Sequence, residues 1–125
     1  MKDGKHVILC IDDDPDVLDS LRMFLESNDY VMVDAFSAEE GIKAYKAEAP
    51  DFIIVDLMME SVDAGKNFVK ELKLLNNTAP IYMLSSVGDS LATNINFAEL
   101  GLTGVFQKPI DFNTLLMTLK IKLPD

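Results

Sequence analysis

Most residues of this chain that could do chemistry stand where apolar runs end. Three aspartates follow the run Val7–Ile11, and a fourth closes the run over residues 51–56. A third run, residues 80–86, ends in two serines, and the short run 103–107 precedes a lysine. In chain order these residues are Asp12, Asp13, Asp14, Asp56, Ser85, Ser86 and Lys108. Carboxylates, hydroxyls and one ammonium group suit a site for a cation and a phosphoryl group.

The aspartates are crowded, and crowded carboxylates raise one another's pKa values unless a cation lies between them. Oxygen ligands without histidine or cysteine favour Mg²⁺, Ca²⁺ or Mn²⁺ over zinc, and few carboxylates on an open side suit Mg²⁺. Lys108 and a serine hydroxyl would then bind the oxygens of a phosphoryl group. A carboxylate can also be the nucleophile that forms an aspartyl phosphate. Asp56 is the best candidate, because it ends the middle one of the strong apolar runs.

These residues are predicted to be positioned by alternating strands and helices. Five strand-length runs each precede a segment of helical periodicity. This alternation predicts an α/β fold with a parallel sheet covered by helices on both faces, and ligands bind such sheets beyond the carboxyl ends of the strands. The predicted strands cover 7–11, 31–36, 51–56, 80–86 and 103–107, and the predicted helices follow residue 14 and cover 37–49, 65–75, 89–100 and 111–123.

Capping residues and apolar spacing refine the helix predictions. Asp13 or Asp14 can cap the first helix, and Ser37 begins a capping-box sequence at the second. Gly101 is typical of a residue that ends the fourth helix. The apolar face of the third helix is predicted to hold Phe68, Leu72 and Leu75.

Composition narrows the function. A chain of 125 residues with 49% hydrophobic residues predicts a single folded domain over residues 1–125. The net charge of −10 disfavours nucleic-acid binding, which needs clustered lysine and arginine. The single cysteine, Cys10, excludes an internal disulfide, and no segment approaches the ~18 apolar residues of a membrane helix. We therefore expect a cytoplasmic protein.

Four motifs together resemble the receiver domain of bacterial two-component response regulators, of the chemotaxis-regulator type. They are VILCIDDDPDV, IIVDLMM, IYMLSS and FQKP, in order at successive strand ends. The resemblance implies a flavodoxin-like (βα)5 fold with strand order 2-1-3-4-5. It also implies that the protein is a signalling switch and not an enzyme. The switch would take a phosphoryl group from a histidine kinase, with Mg²⁺ or Mn²⁺ as cofactor. Its own chemistry would be limited to autophosphorylation and autodephosphorylation.

The resemblance assigns roles around the metal by position. Asp56 is implied as the phosphoacceptor and as a metal ligand. Asp13 is implied as a direct ligand, and Asp12 as a ligand or as a carboxylate that acts through water. The backbone carbonyl of Met58 is implied as a further metal contact.

The resemblance also assigns roles around the phosphoryl group. Ser85 is implied as the switch hydroxyl, and Ser86 lies beside it in the phosphoryl-binding position. Lys108 is implied to bridge to the phosphoaspartate, with a cis peptide bond to Pro109. Val105 occupies the position of the family's aromatic switch residue and is atypical there.

Departures from the family pattern leave two alternatives open. The aromatic residue here is Phe106, and a one-residue step turns a side chain to the other face of the strand, so Phe106 is predicted in the core. Glu60 stands where the family often has proline. One alternative is thus a degenerate receiver acting as a protein-interaction module. Another is an aspartate-nucleophile phosphatase, which Met58 disfavours because its side chain cannot transfer protons.

The resemblance implies protein partners. They are a sensor histidine kinase or phosphotransfer protein, and a downstream protein or output domain bound through the fourth predicted helix, the fifth strand and the fifth helix. It implies no nucleic-acid or membrane contact by this domain. It is compatible with a monomer or with a phosphorylation-dependent dimer.

Overall fold

Strands and helices alternate as predicted from residue 7 to residue 86, and a further strand and helix follow in the described residues 101–123. The structure, a computed structural model, describes residues 2–56, 62–86 and 101–123, with the side chains of 62–66 and of residue 86 left aside. The strands are β1 (Val7–Ile11), β2 (Val31–Ala35), β3 (Phe52–Asp56), β4 (Ile81–Ser86) and β5 (Gly104–Lys108). The helices are α1 (Pro15–Ser27), α2 (Ala38–Glu48), α3 (Val62–Leu74) and a C-terminal helix (Phe112–Lys122). The predicted helix 89–100 lies outside the described residues, and none of the described helices is long and apolar enough to cross a membrane.

All five strands pair in parallel in one sheet of order β2-β1-β3-β4-β5. This order confirms the fold predicted from the sequence. Strands β1 and β3 are buried along their whole length, because neighbours pair on both sides and helices cover both faces. Their carboxyl ends are therefore fixed by the most buried part of the molecule.

The sheet separates two apolar cores, and successive strand residues alternate between them. In β1, Leu9 and Ile11 belong to the core under α2 and α3, whereas Ile8 and Cys10 belong to the core under α1 and the C-terminal helix. This arrangement confirms helices on both faces. Cys10 is fully buried, and burial raises the pKa of its thiol, so the residue is a packing group.

Helix α1, helix α2 and the C-terminal helix begin at side-chain caps. Asp14 is the N-cap of α1 and accepts a hydrogen bond from the Asp16 N–H, which settles the choice between Asp13 and Asp14. Ser37 caps α2 by accepting a hydrogen bond from the Glu40 N–H at 3.1 Å. A polar side chain before each first turn replaces hydrogen bonds that the helix cannot make itself.

The predicted third helix is wrong at its boundaries. Helix α3 begins at Val62, three residues before the predicted start, and ends at Leu74. Phe68 and Leu72 are buried as predicted, whereas Leu75 lies beyond the helix and is 39% exposed. The helical spacing that would have turned Leu75 toward the core no longer applies once the helix has ended.

Close packing at Gly41 leads to a prediction about stability. A Cβ atom there would lie 2.7 Å from Ile11 Cδ1 and 2.9 Å from Phe68 Cε1, and both side chains are buried in a filled core. We expect Gly41→Ala to lower the free energy of unfolding by about 1–2 kcal/mol, because overpacking outweighs the gain in helix propensity. Urea denaturation measures this change in the free energy of unfolding. The control is Ala47→Gly at an exposed site of α2, where propensity alone makes the glycine variant less stable. A stabilised Gly41→Ala variant would contradict the packing at this position.

Candidate functional site

The carboxyl ends of four neighbouring strands meet at one edge of the sheet. Asp12 follows β1 directly and Asp56 is the last residue of β3, with Ile11 and Val55 paired in register just before them. On the far side, Asp56 pairs with Leu84, one residue before Ser85 in β4. Strand β5 ends in a lysine paired with residue 86 of β4. Residues more than forty positions apart in sequence therefore become neighbours.

Asp12, Asp13 and Asp56 form a carboxylate cluster. One oxygen atom from each lies within 4.8 Å of those from the other two. Asp12 is fully buried and Asp56 is 6% exposed, whereas Asp13 is exposed to solvent. The cluster thus has two carboxylates fixed in the interior and one on its open side.

Asp12 is held from two directions. Its backbone N–H donates to the Ala35 carbonyl, and its Oδ1 accepts a hydrogen bond from the Asp14 N–H at 3.0 Å. Its Oδ2 is buried and lies 3.0 Å from Lys108 Nζ, but the pair is not aligned as a hydrogen bond. Burial raises the pKa of the Asp12 carboxyl and outweighs the opposing effects of the Asp14 N–H and of Lys108. Oδ2 therefore accepts no aligned hydrogen bond from the described residues, which leaves it able to bind a cation.

Lys108 lies between the two buried carboxylates. Its Nζ donates a hydrogen bond to Asp56 Oδ2 at 3.2 Å and forms an ion pair with Asp12. Burial lowers the pKa of this ammonium group, but the carboxylates of Asp12 and Asp56 outweigh burial and raise it. Lys108 is thus a fixed positive charge inside the cluster.

The donor atoms fit a hard divalent cation. All three side chains offer carboxylate oxygens, the described part of the site contains no histidine or cysteine ligand, and the buried Asp12 Oδ2 has no aligned hydrogen bond. Mg²⁺ prefers oxygen ligands, usually takes one or two protein carboxylates and keeps several waters. Asp13 is exposed, so a cation bound to its carboxylate could also keep water ligands.

The other predicted site residues fall in different places. Ser85 is buried in β4 beside Gln107 of β5. The peptide bond between Lys108 and Pro109 is cis. The backbone of Ser86 ends β4, but its side chain lies outside the described part, as do Met58 and Glu60.

The two residues at the expected aromatic position face opposite cores. Val105 packs, partly buried, against the core under α2 and α3. Phe106 is buried in the opposite core, where it stacks on Tyr82 with ring centroids 4.8 Å apart. Tyr82 in turn stacks on Phe52 at 5.1 Å, so one aromatic stack crosses three strands. The sequence interpretation placed Phe106 in the core, as observed, but did not find this stack.

The comparisons with known proteins agree with the fold. The chain belongs to the response regulator receiver domain family, whose model matches residues 8–120. Phosphorylation and Mg²⁺ binding are general properties of this family, and its members act in two-component systems. The family predicted from the four sequence motifs is therefore confirmed.

Individual relatives are similar at moderate identity. The transcriptional regulatory protein GlrR of Escherichia coli (strain K12) is 30% identical over 112 residues, which cover 90% of this chain and 25% of GlrR. Response regulator MprA of Mycobacterium ulcerans is 28% identical over 116 residues, covering 93% of this chain and 49% of MprA. The structure of the chemotaxis response regulator CheY4 of Vibrio cholerae matches with a TM-score of 0.84 at 27% identity, covering 96% of this chain and 100% of CheY4. The chain spans only a quarter to a half of the two curated relatives.

Proposed function

We propose that this protein is a phosphorylation switch that accepts a phosphoryl group on Asp56 in a Mg²⁺-dependent reaction. The observation that supports this proposal most strongly is the contact of the buried Asp56 with Lys108, next to two further carboxylates. A lone buried carboxylate is costly, whereas a cation beside it compensates its charge, and a carboxylate can act as a nucleophile. The receiver domain would extend over residues 1–125.

Each residue of the site would have a separate role in the phosphoryl transfer. An Asp56 carboxylate oxygen attacks the phosphorus of a phosphohistidine, the new O–P bond forms, and the electron pair of the broken P–N bond returns to the imidazole nitrogen. Asp12 and Asp13 would hold Mg²⁺ together with Asp56 and the Met58 carbonyl. When bound, Mg²⁺ would neutralise charge on the phosphoryl oxygens, as is usual in phosphoryl transfer. Lys108 would donate to another of these oxygens.

Ser85 and Lys108 would transmit the modification to the surface. Both stand at the ends of β4 and β5, and the Ser85 hydroxyl would donate to the phosphoryl group. Movement of Ser85 and Lys108 toward the phosphoryl group would shift these strand ends. It would thereby change the surface made by the predicted fourth helix, β5 and the C-terminal helix. The donor would be a sensor histidine kinase or phosphotransfer protein, and the reader an output domain or a separate protein.

Intact-protein mass spectrometry tests the proposal. We expect incubation with phosphoramidate and MgCl₂ to add the mass of one phosphoryl group, and the addition to disappear in EDTA. Peptide mapping should place the group on Asp56. If neither phosphoramidate nor acetyl phosphate modifies the folded protein, the degenerate receiver, a module that binds partners without phosphorylation, becomes the better interpretation.

A further inference from the structure

We propose that the protein binds a small organic phosphate at the amino edge of its sheet, in a cavity outside the phosphorylation site. The cavity measures about 540 Å³ and lies between the segments that precede β1 and β2 and the end of the C-terminal helix. His6 lines it, and β1 separates His6 from Asp12 by roughly 20 Å at ~3.3 Å per residue. This amino-edge cavity is thus remote from the carboxylate cluster, and ligand binding there does not depend on the chemistry proposed at Asp56.

The amino-edge cavity is large enough for a ligand that carries a ring as well as a phosphate group. Its volume falls within the range of about 300–1,000 Å³ that is usual for small-molecule sites. Half-buried Tyr30 and Leu123 supply apolar surface, and an aromatic side chain such as Tyr30 can stack on a planar ring. Half-buried Asn28 adds an amide oxygen that can accept a hydrogen bond from a ligand hydroxyl. These walls favour a phosphate monoester of a planar compound over inorganic phosphate.

Two lysines give the cavity its positive charge. Lys5 precedes β1 and Lys120 belongs to the last turn of the C-terminal helix, so the two ammonium groups come from separate segments. Within the described part of the chain neither forms an ion pair, whereas Lys2, Lys43 and Lys108 each do. In a protein with a net charge of −10, two ammonium groups that no carboxylate neutralises favour an anion at this cavity.

The end of α1 does little to repel an anion, although the last carbonyl groups of a helix carry partial negative charge. Asn28 Nδ2 donates to the Phe24 carbonyl at 2.8 Å, and the Tyr30 N–H donates to the Leu25 carbonyl at 3.0 Å. Asp29 adds a carboxylate to the cavity wall, but it is exposed, and water weakens its repulsion of an anion. The two lysines therefore outweigh the negative groups.

The wall at His6 is fixed by neighbouring segments. The His6 carbonyl accepts a hydrogen bond from the Val31 N–H at 3.0 Å, which joins the starts of β1 and β2. On its other side, His6 Nδ1 lies 3.8 Å from Asp51 Oδ2, which also accepts a hydrogen bond from the Val7 N–H at 2.8 Å. A wall that is already ordered lowers the entropy cost of binding a ligand.

Amide chemical shifts in NMR titrations, recorded without divalent metal, locate and measure the binding. We expect AMP or phenyl phosphate to shift the amides of residues 4–6, 28–30 and 120–123 in a saturable way, with a Kd of about 1 mM or lower. Adenosine lacks the phosphate and inorganic phosphate lacks the ring, so each should bind at least about fivefold more weakly. The proposal is overturned if neither ester gives saturable shifts at these residues, or if inorganic phosphate binds as tightly as the esters.

Variants that change the charge of the wall in opposite directions provide a second test. The double variant Lys5→Gln, Lys120→Gln should lose about tenfold in affinity, whereas Asp29→Asn should gain about twofold. Asparagine suits the positive φ of 67° at residue 29, so this variant should fold. The matched control, Lys70→Gln, removes the same charge from an exposed position of α3 and should bind like the wild type.

The amide spectra show in the same experiment that each variant is folded. Equal affinity in the double variant and in the control would overturn the proposal, as would weaker binding by Asp29→Asn. The double variant should also accept a phosphoryl group from phosphoramidate at the wild-type rate, because both lysines lie at the far edge of the sheet. Failure of the wild type to be phosphorylated would count only against the proposed function.

Discussion

The Asp56→Asn variant is expected to lose phosphorylation by phosphoramidate, with a fall in rate of more than about 100-fold. An amide has the shape of the carboxylate but lacks its nucleophilic charge. The last residue of a buried strand should tolerate this isosteric change, so the variant should fold. Mass spectrometry under the MgCl₂ conditions given above measures the rate.

A matched variant shows whether the loss is specific to the site. Asp19→Asn makes the same chemical change on the exposed side of α1 and should be labelled at the wild-type rate. If Asp56→Asn took up the phosphoryl group as fast as Asp19→Asn, then Asp56 would not be the acceptor. Mapping of the modified peptide would then point to Asp13, the exposed carboxylate of the cluster.

The second large effect is a loss of Mg²⁺ affinity, which is expected at one of the three consecutive aspartates and not at its neighbour. Asp13→Ala should weaken Mg²⁺ binding about tenfold or more, because it removes the ligand on the open side of the cluster. Asp14→Ala should leave Mg²⁺ affinity within about twofold of the wild type, because Asp14 serves as the N-cap of α1. Titration calorimetry compares the two variants directly.

The same two variants should rank in the opposite order by loss of stability, with Asp14→Ala the more destabilised. Asp14→Ala loses a helix cap and should cost about 1 kcal/mol, whereas Asp13→Ala relieves repulsion in the metal-free cluster and should cost less. Urea denaturation in EDTA measures both costs. Similar Mg²⁺ affinities in the two variants would show that the structure assigns the wrong aspartate to the cation.

The sheet could be predicted from the sequence because its central strands are covered on both sides. The runs that became β1 and β3 are apolar at successive positions, which is typical of doubly covered parallel strands. The start of helix α3 at Val62 was not predicted, because the apolar spacing used to find the helix, through Phe68 and Leu72, lies in its later turns. The predicted start, Gly65, lies inside the helix, and the predicted burial of Leu75 is wrong because the helix ends at Leu74.

The members of the site could be named from the sequence, but their contacts could not. Strand order brings Asp12, Asp56 and Lys108 to one edge, and motif positions are sufficient to predict that. The shared contact of Lys108 with both carboxylates depends on the reach of its side chain and on the register between β4 and β5. The stack of Phe106 on Tyr82 depends on the same register, which places Phe106 beside Leu84, two residues after Tyr82.

The strand order also determines where the sheet could recruit another chain. With β2 and β5 first and last in the order, their outer backbone groups could template strand addition and aggregation. Both strands are only five residues long. Asp34 places a charge in β2, held by Arg22 at 2.9 Å, and Pro109 directly after β5 lacks the N–H needed to extend pairing. The molecule thus keeps its sheet closed to further strands while leaving the carboxyl ends of the strands open for its chemistry.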